Sequence, residues 1–458
     1  MTDQATTWRF SRAFWTANVV ELLERAAWYG VFVAITLYLS RILGFSDIEA
    51  AVISGVFSAG LYLLPTFSGA YADRIGFKNA LLLAFGLLTA GYGSMWVLPA
   101  LLESAGLAVY GREVQLLGVR EGWHKWLFIP VMLVVMVGGS FIKSVITGTV
   151  AKETNEANRA RGYSLFYGMV NVGAFSGKTI VKPLRVSLGN RGLVVLNLFA
   201  AAMTLLAFVL VALFYRGQPG EGEGKSLREI WRALVAVCTR LRLVVLIVII
   251  TGFWMVQNQL YATMPKYVLR MAGEDASPSW YANVNPAVVV VFVGLVTQLM
   301  RRRSALFSMT VGMLIMPFSA LCMAMGNLLG SGPVLGMHPV ALMMVAGIGL
   351  QGLAECFISP RYLEYFSKQA PAGQEGLYLG FSHLHTFLSS ILGFSLSGVL
   401  LDRYCPPRDR FATDAAWSAA KAHAHYIWLV FMGVAVLAGL GLVVYGAVTR
   451  RMDRRAGS

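Results

Sequence analysis

The sequence predicts an all-α membrane protein of twelve transmembrane helices in two six-helix bundles, with both termini cytoplasmic. Three observations carry that reading. Of the 458 residues 57% are hydrophobic and only 13% charged, and the mean hydropathy of +0.63 lies far above that of a soluble globular domain. Apolar runs of about 20 residues, the length a helix needs to cross a bilayer, recur twelve times along the chain. A polar stretch, "YRGQPGEGEGKSLREIWRAL" (Tyr215 to Leu234), then separates six runs from six.

The first six runs centre near Val31, Tyr62, Gly91, Val137, Met169 and Met203, and assign residues 1–215 to an N-terminal bundle. Residues 216–240 form a cytoplasmic linker. It opens Gly-rich and flexible, then turns amphipathic around Leu227, Ile230, Trp231 and Leu234, the pattern of a segment lying along a membrane surface. The second six runs centre near Ile250, Val291, Val311, Ile348, Ile391 and Val436 within a C-terminal bundle, 241–458.

An even number of crossings puts both termini on one side. The Lys and Arg residues select the cytoplasmic one, with Arg301, Arg302 and Arg303 between spans and Arg450, Arg451, Arg454 and Arg455 in the tail. That bias accounts for most of the net charge of +15 without nucleic acid as a partner, and anionic membrane lipid is the partner it implies. Cys238, Cys322, Cys356 and Cys405 form no CxxC pair, so neither a disulfide nor a metal site is expected. No cleavable signal is expected either, because the first apolar run is long and lacks a small-residue cleavage site.

Charges inside the spans need a reason. From Phe14 to Leu39 the only charged residues are Glu21, Glu24 and Arg25, in "ELLERAAWYG". Each ionisable side chain at the centre of a transmembrane helix costs about 2.5–3.5 kcal/mol on insertion scales. At spacings of i,i+3 and i,i+4 the three project from one helix face as one network. One guanidinium cannot neutralise two carboxylates, so one of the two acids is expected to hold a proton in so poor a solvent. As a static clamp between helices the trio would do no better than apolar packing.

Layout and motifs then converge. The six-plus-six plan resembles the major facilitator superfamily, whose solute sites lie near the midplane between halves. "GAYADRIGFK" resembles that superfamily's cytoplasmic loop signature through Gly69, Asp73, Arg74, Gly76 and Lys78, a structural and gating element. Within the superfamily, "ELLERAAWYG" is similar to the ExxERFxYYG signature of the proton-dependent oligopeptide transporter family through Glu21, Glu24, Arg25, Tyr29 and Gly30; Ala26 replaces the Phe and Trp28 the first Tyr. Further segments follow in register. "GYSLFYGMVNVGAF" looks like the FYxxINxG segment (Phe166, Tyr167, Asn171, Gly173), and "WYANVNPAVVVVF" like the eighth-helix Asn-Pro segment (Asn285, Pro286). "LEYFSKQAP" looks like LEFxYxQAP, with Glu364 aligned to the family's substrate-site acid, and Glu355 aligns with the acid of its Gly-Glu pair. Lys143 aligns with the fourth-helix Lys, although Ser144 and Val145 replace the Pro-Asn that follows it.

Departures from the family pattern are paired. An Arg expected seven residues after Arg25 is Phe32, and its expected acidic partner on the seventh helix is Asn258. Losing both partners strands no charge. Counted by helix rise, both positions fall about 25–28 Å from the cytoplasmic helix ends, whereas Lys143 and Glu364 fall within about 10 Å. Lys178 is a gain at a depth of about 24 Å, which makes it a candidate anchor for a solute group or a lysine snorkelling to the outer interface. The stretch from Tyr215 to Arg240 is also too short for the two additional helices of many bacterial members.

The resemblance implies a proton-coupled symporter that imports a small organic solute, di- or tripeptides or peptide-like compounds, by alternating access. Protons are the coupling ion and no other cofactor is expected. Proton coupling is expected of Glu21, Glu24, Arg25, Lys143 and Glu364. Substrate binding is expected of Arg25, Tyr29, Lys143, Tyr167, Asn171, Lys178, Asn258, Asn285, Glu355 and Glu364. A non-peptide amino-acid derivative or organic anion is the alternative cargo, and a ligand-binding sensor without net transport is an alternative of another class. His383 and His385 are two apart on one helix, point to different faces and match no family motif, so packing is their default role. No nucleophile–base pairing or metal-ligand spacing points to an enzyme. A monomer in the bacterial inner membrane is expected.

Overall fold

A computed structural model describes residues 10–111, 122–155, 158–216, 227–330, 332–369 and 381–456. Among them helices dominate and no strand forms beyond an isolated bridge between Val334 and Met337. Eleven helical runs among the described residues are long and apolar enough to cross a membrane. A twelfth long helix, Arg159–Leu188, falls at the fifth expected position; its 30 residues reach about 45 Å, but Arg159, Arg161, Lys178, Lys182 and Arg185 lower its hydropathy. The fold is the expected all-α membrane architecture.

By its internal contacts the chain divides into two compact units, Met1–Phe45 with Gly60–Ile230, and Ser46–Ala59 with Trp231–Ser458. The first contains α1 (Arg12–Phe32), α2 (Ile35–Arg41), the end of α3 (Asp47–Leu63), α4 (Pro65–Ile75), α5 (Phe77–Ser104), α6 (Phe128–Lys152), α7 (Arg159–Leu188) and α8 (Asn190–Phe214). Ser11 caps α1 by accepting the Phe14 amide at 3.0 Å. Pro65 has no N–H to continue α3 and starts α4 instead. Gly76, at φ +80°, turns the chain from α4 into α5, which is the need its place in the loop signature meets. Gly69 lets α4 lie against α6, since a Cβ there would stand 3.0 Å from Ser144 Oγ. Lys78 donates to the Ala212 carbonyl at 3.2 Å, while Asp73 is half-buried and Arg74 exposed, neither in an ion pair among the described residues.

The α1–α7 contact is the tightest of this unit. A Cβ at Gly173 would collide with the Leu22 carbonyl and one at Gly177 with the Ala26 carbonyl. Two glycines four residues apart, facing backbone, give the close approach of a GxxxG surface.

The second unit is built from the first part of α3, α10 (Leu241–Gln257), α11 (Gln259–Ala262), α12 (Met264–Ala272), α13 (Pro278–Tyr281), α14 (Val284–Met300), α15 (Ala305–Met325), α16 (Pro339–Lys368), α17 (Leu384–Tyr404), α18 (Asp414–Ala420) and α19 (Tyr426–Ala456). The start of α3 packs on α17 through small residues. A Cβ at Gly55 would stand 2.7 Å from the Ser390 carbonyl, one at Gly398 would stand 2.9 Å from Ile48 Cα, and Ser58 bonds Ser390 at 2.9 Å. In the linker α9 (Leu227–Cys238) is the helix expected to be amphipathic; its Trp231 is exposed, whereas residues 217–226 lie outside the described residues.

Candidate functional site

In the first unit α1 carries Glu21, Glu24 and Arg25 one turn apart, so the three meet without help from another helix. Arg25 Nε lies 3.0 Å from Glu21 Oε1, and Arg25 Nη2 pairs with Glu24 Oε2. All three are buried, at 3%, 4% and 8% exposure, a depth at which an ion pair survives only if well compensated. The second oxygen of Glu21 finds no hydrogen-bond partner among the described residues. The trio therefore carries one carboxylate more than its single cation balances.

The fourth charge comes from α6. Lys143 lines the same pocket as Glu24 and Arg25, together with Trp28, Leu61, Tyr62, Leu88, Tyr92, Val135 and Gly139. Its ammonium sits 3.9 Å from the Tyr62 ring centroid, a cation–π contact. Glu24, Arg25 and Lys143 thus border one small space walled by apolar and aromatic groups, with Glu21 joined to it through its ion pair with Arg25. In so poorly solvated a space, the gain or loss of one unit of charge would change the local electrostatics strongly.

On α7, Lys178 is 2% exposed and lies 5.0 Å from the Tyr29 ring centroid. Its neighbour Gly177 is the residue seated on the Ala26 carbonyl, which places the lysine beside α1. Tyr167 is 61% exposed, and Asn171 spends an amide hydrogen on the Tyr167 carbonyl at 2.8 Å. Phe32 stacks on Trp28 with centroids 4.5 Å apart, so the neutral residue at that position packs as an aromatic.

The second unit holds a separate set. Glu355 Oε2 accepts from Gln257 Nε2 at 2.9 Å and Asn285 Nδ2 at 3.2 Å, both neutral donors. Asn258 donates to Ser389 at 3.2 Å. Glu364 lies between Arg361 at 2.6 Å and Lys368 at 2.5 Å on its own helix, with its side chain one-third exposed. The last residues of the LEYFSKQAP segment, Ala370 and Pro371, lie outside the described residues. His385 is buried with Nδ1 2.5 Å from the Ser382 carbonyl and Nε2 3.0 Å from Thr386 Oγ1, packed by Trp254 and Tyr362.

Three features escape sequence reasoning. Tyr92 enters the pocket from α5, Gln257 reaches Glu355 from α10, and Asp47 binds Lys266 and Arg270. For the last of these a signal exists, because Asp47, Lys266 and Arg270 are charges at the edges of apolar runs; which run faces which is absent from a one-dimensional pattern.

The sequence matches the Major Facilitator Superfamily over residues 18–337. It is similar to the dipeptide and tripeptide permease A of Edwardsiella piscicida, 23% identical over 256 residues that cover 55% of this chain and 46% of the permease. The chain thus spans about half the length of the peptide permeases it matches. The multidrug resistance protein MdtH of Cronobacter sakazakii is 23% identical over 394 residues, 83% of this chain and 84% of that protein. Among solved structures, a POT family transporter in complex with 5-aminolevulinic acid superposes with a TM-score of 0.71 at 16% identity, covering 95% of this chain and 96% of the other. At that identity the likeness is one of fold.

Proposed function

Because this chain belongs to the Major Facilitator Superfamily, a superfamily of multi-pass membrane transporters rather than enzymes, we propose that it is a proton-coupled symporter importing a small amine- and carboxylate-bearing solute by alternating access. Di- and tripeptides or peptide-like compounds are the substrate class. The observation that carries this reading is the buried Glu21–Arg25–Glu24 trio, with one acid in excess, bordering a pocket shared with Lys143.

The chemistry follows from charge balance. With both acids ionised the four groups are neutral overall, and Arg25 is shared between two carboxylates. A proton on Glu24 frees one side of the guanidinium. A substrate carboxylate then pairs with Arg25 and Lys143 without leaving a buried charge unmatched. Loss of the substrate favours return of Arg25 to Glu24 and expulsion of the proton, which links the two fluxes. In the second unit Glu355, which accepts from the amides of Gln257 and Asn285, is the proposed acid for an ammonium group, because Glu364 already holds two cations of its own helix. Both termini in the cytoplasm and a monomeric state complete the proposal.

Lys178 supports a second cargo. A buried lysine against Tyr29 favours an organic anion or a modified amino acid over an ordinary peptide. The test is reconstitution in liposomes with an imposed pH gradient, after a thermal-shift screen of dipeptides, amino-acid derivatives and organic anions. Accumulation that follows the proton gradient supports symport, and uptake indifferent to the gradient refutes it. A ligand that binds with neither proton uptake nor transport identifies a sensor instead.

A further inference from the structure

The pocket of the first unit contains a polar atom that the pairing of its charges leaves out. Tyr92, on α5, is 1% exposed, and its hydroxyl has no hydrogen-bond partner among the described residues. A buried polar group left in that condition is destabilising, because it has lost water without gaining a partner. Tyr92 lines the same pocket as Glu24, Arg25 and Lys143, and the pocket has room for a water-sized molecule beside them. Across the trio, the second oxygen of Glu21 shows the same deficit. A space of this kind, polar and supplied with donors and acceptors, is where ordered water is held, whereas an apolar cavity stays dry.

We propose that this pocket binds a water molecule that hydrogen-bonds the Tyr92 hydroxyl to the Glu24 carboxylate, and that Glu24 gains and loses its proton through that water. The proposal rests on the reading of the chain as a proton-coupled transporter. Tyr92 donates its O–H to the water oxygen, which turns the water's own hydrogens toward the carboxylate. An arriving proton makes the water hydronium; one O–H bond breaks there as one forms on Glu24, leaving neutral water, and release runs the same transfer backwards. The charged and titratable groups facing this point are Glu21 and Arg25 on α1, Tyr62 on α3, Tyr92 on α5 and Lys143 on α6, with Lys178 of α7 one turn away over Tyr29. Tyr92 is a positioning residue, since it acts on Glu24 through the water.

Tyr92→Phe keeps the ring and removes the hydroxyl. The readout is pH-difference infrared spectroscopy of the full protein without ligand, following the protonated-carboxyl band assigned to Glu24 by its loss in Glu24→Gln. The expected result is a shift of its titration midpoint by about one pH unit, with a changed carbonyl frequency. An unmoved midpoint and frequency in Tyr92→Phe overturns the proposal. Should that variant fail to fold, Gly139→Ala carries the test, because its methyl group enters the pocket with only the end of the Leu61 side chain 2.7 Å away, and the same shift is expected. Dialanine uptake by wild-type proteoliposomes is measured in parallel. If it ignores the proton gradient while the infrared shift is present, the transport reading fails and the water site stands.

Discussion

Lys266 donates to Asp47 Oδ1 at 2.7 Å with both side chains at 3% exposure or less, which seats the start of α3 on α12. Arg270 adds bonds of 2.7 and 2.9 Å to the same carboxylate and one of 2.6 Å to the Cys405 carbonyl. One acid thus holds two cations, Lys266 buried and Arg270 partly so. Asp47→Asn removes the carboxylate that pairs with both and is expected to cost about 3–5 kcal/mol, read as a fall in thermal unfolding temperature in detergent. Adding Lys266→Met to Asp47→Asn should recover part of the loss, since one of the two stranded charges is gone. A single variant as stable as wild type contradicts the account.

Thiol chemistry reports on the same place. Cys405 is fully buried, and burial pushes its thiol up to about 11, so little thiolate exists at neutral pH. Cys238 is exposed. Maleimide at pH 7 should therefore label Cys238 quickly and Cys405 slowly, and Cys405 should become faster in Asp47→Asn as Arg270 loses its anchor. Equal labelling of the two in wild type would show the Cys405 surroundings to be open.

Glu24→Gln and Glu21→Gln are expected to lower gradient-driven accumulation at least ~10-fold while leaving counterflow of the same solute measurable, because each removes the acid in excess without stranding Arg25. Liposome uptake with and without a pH gradient checks this. Persistence of full accumulation in both variants rules out the trio as the proton carrier.

Lys178→Ala tests the cargo. If a carboxylate is held by this buried ammonium, binding of the anion selected in the ligand screen weakens by about 10–100-fold, the scale of a lost charge-assisted bond. Unchanged affinity assigns Lys178 to packing against Tyr29.

Two glycines on α7 predict opposite outcomes for one substitution. Gly177→Ala drives a methyl group into the Ala26 carbonyl and should cost about 1–3 kcal/mol. Gly168→Ala meets nothing within 4 Å and should gain up to about 1 kcal/mol from helix propensity. Thermal unfolding of the two side by side decides it, and a Gly177→Ala protein no less stable than wild type would sink the close-packing argument.

The helical class and the Glu21–Glu24–Arg25 cluster were legible because both depend on short-range spacing. Apolar runs of bilayer length have few alternatives to helices, and i,i+3 and i,i+4 neighbours meet in any helix. The fifth span was legible by position more than by hydropathy, since its five cations lower its mean hydropathy below that of the other long helices. The roles separating Glu355 from Glu364 were not legible. Both are acids on α16, and what distinguishes them is whether amides from α10 and α14 or cations of their own helix reach the carboxylate.

The sequence by itself determined a helical membrane transporter with an acid-rich network on its first helix and neutral residues at Phe32 and Asn258, because burial cost and helical periodicity act residue by residue. Tertiary structure alone decided that Lys143 and Tyr92 share the pocket of Glu24, that Lys178 lies over Tyr29, and that Asp47 holds Lys266 and Arg270. Each of those contacts joins segments far apart in the chain, and a side chain's partner across such a distance is set by which helices pack together and at what rotation.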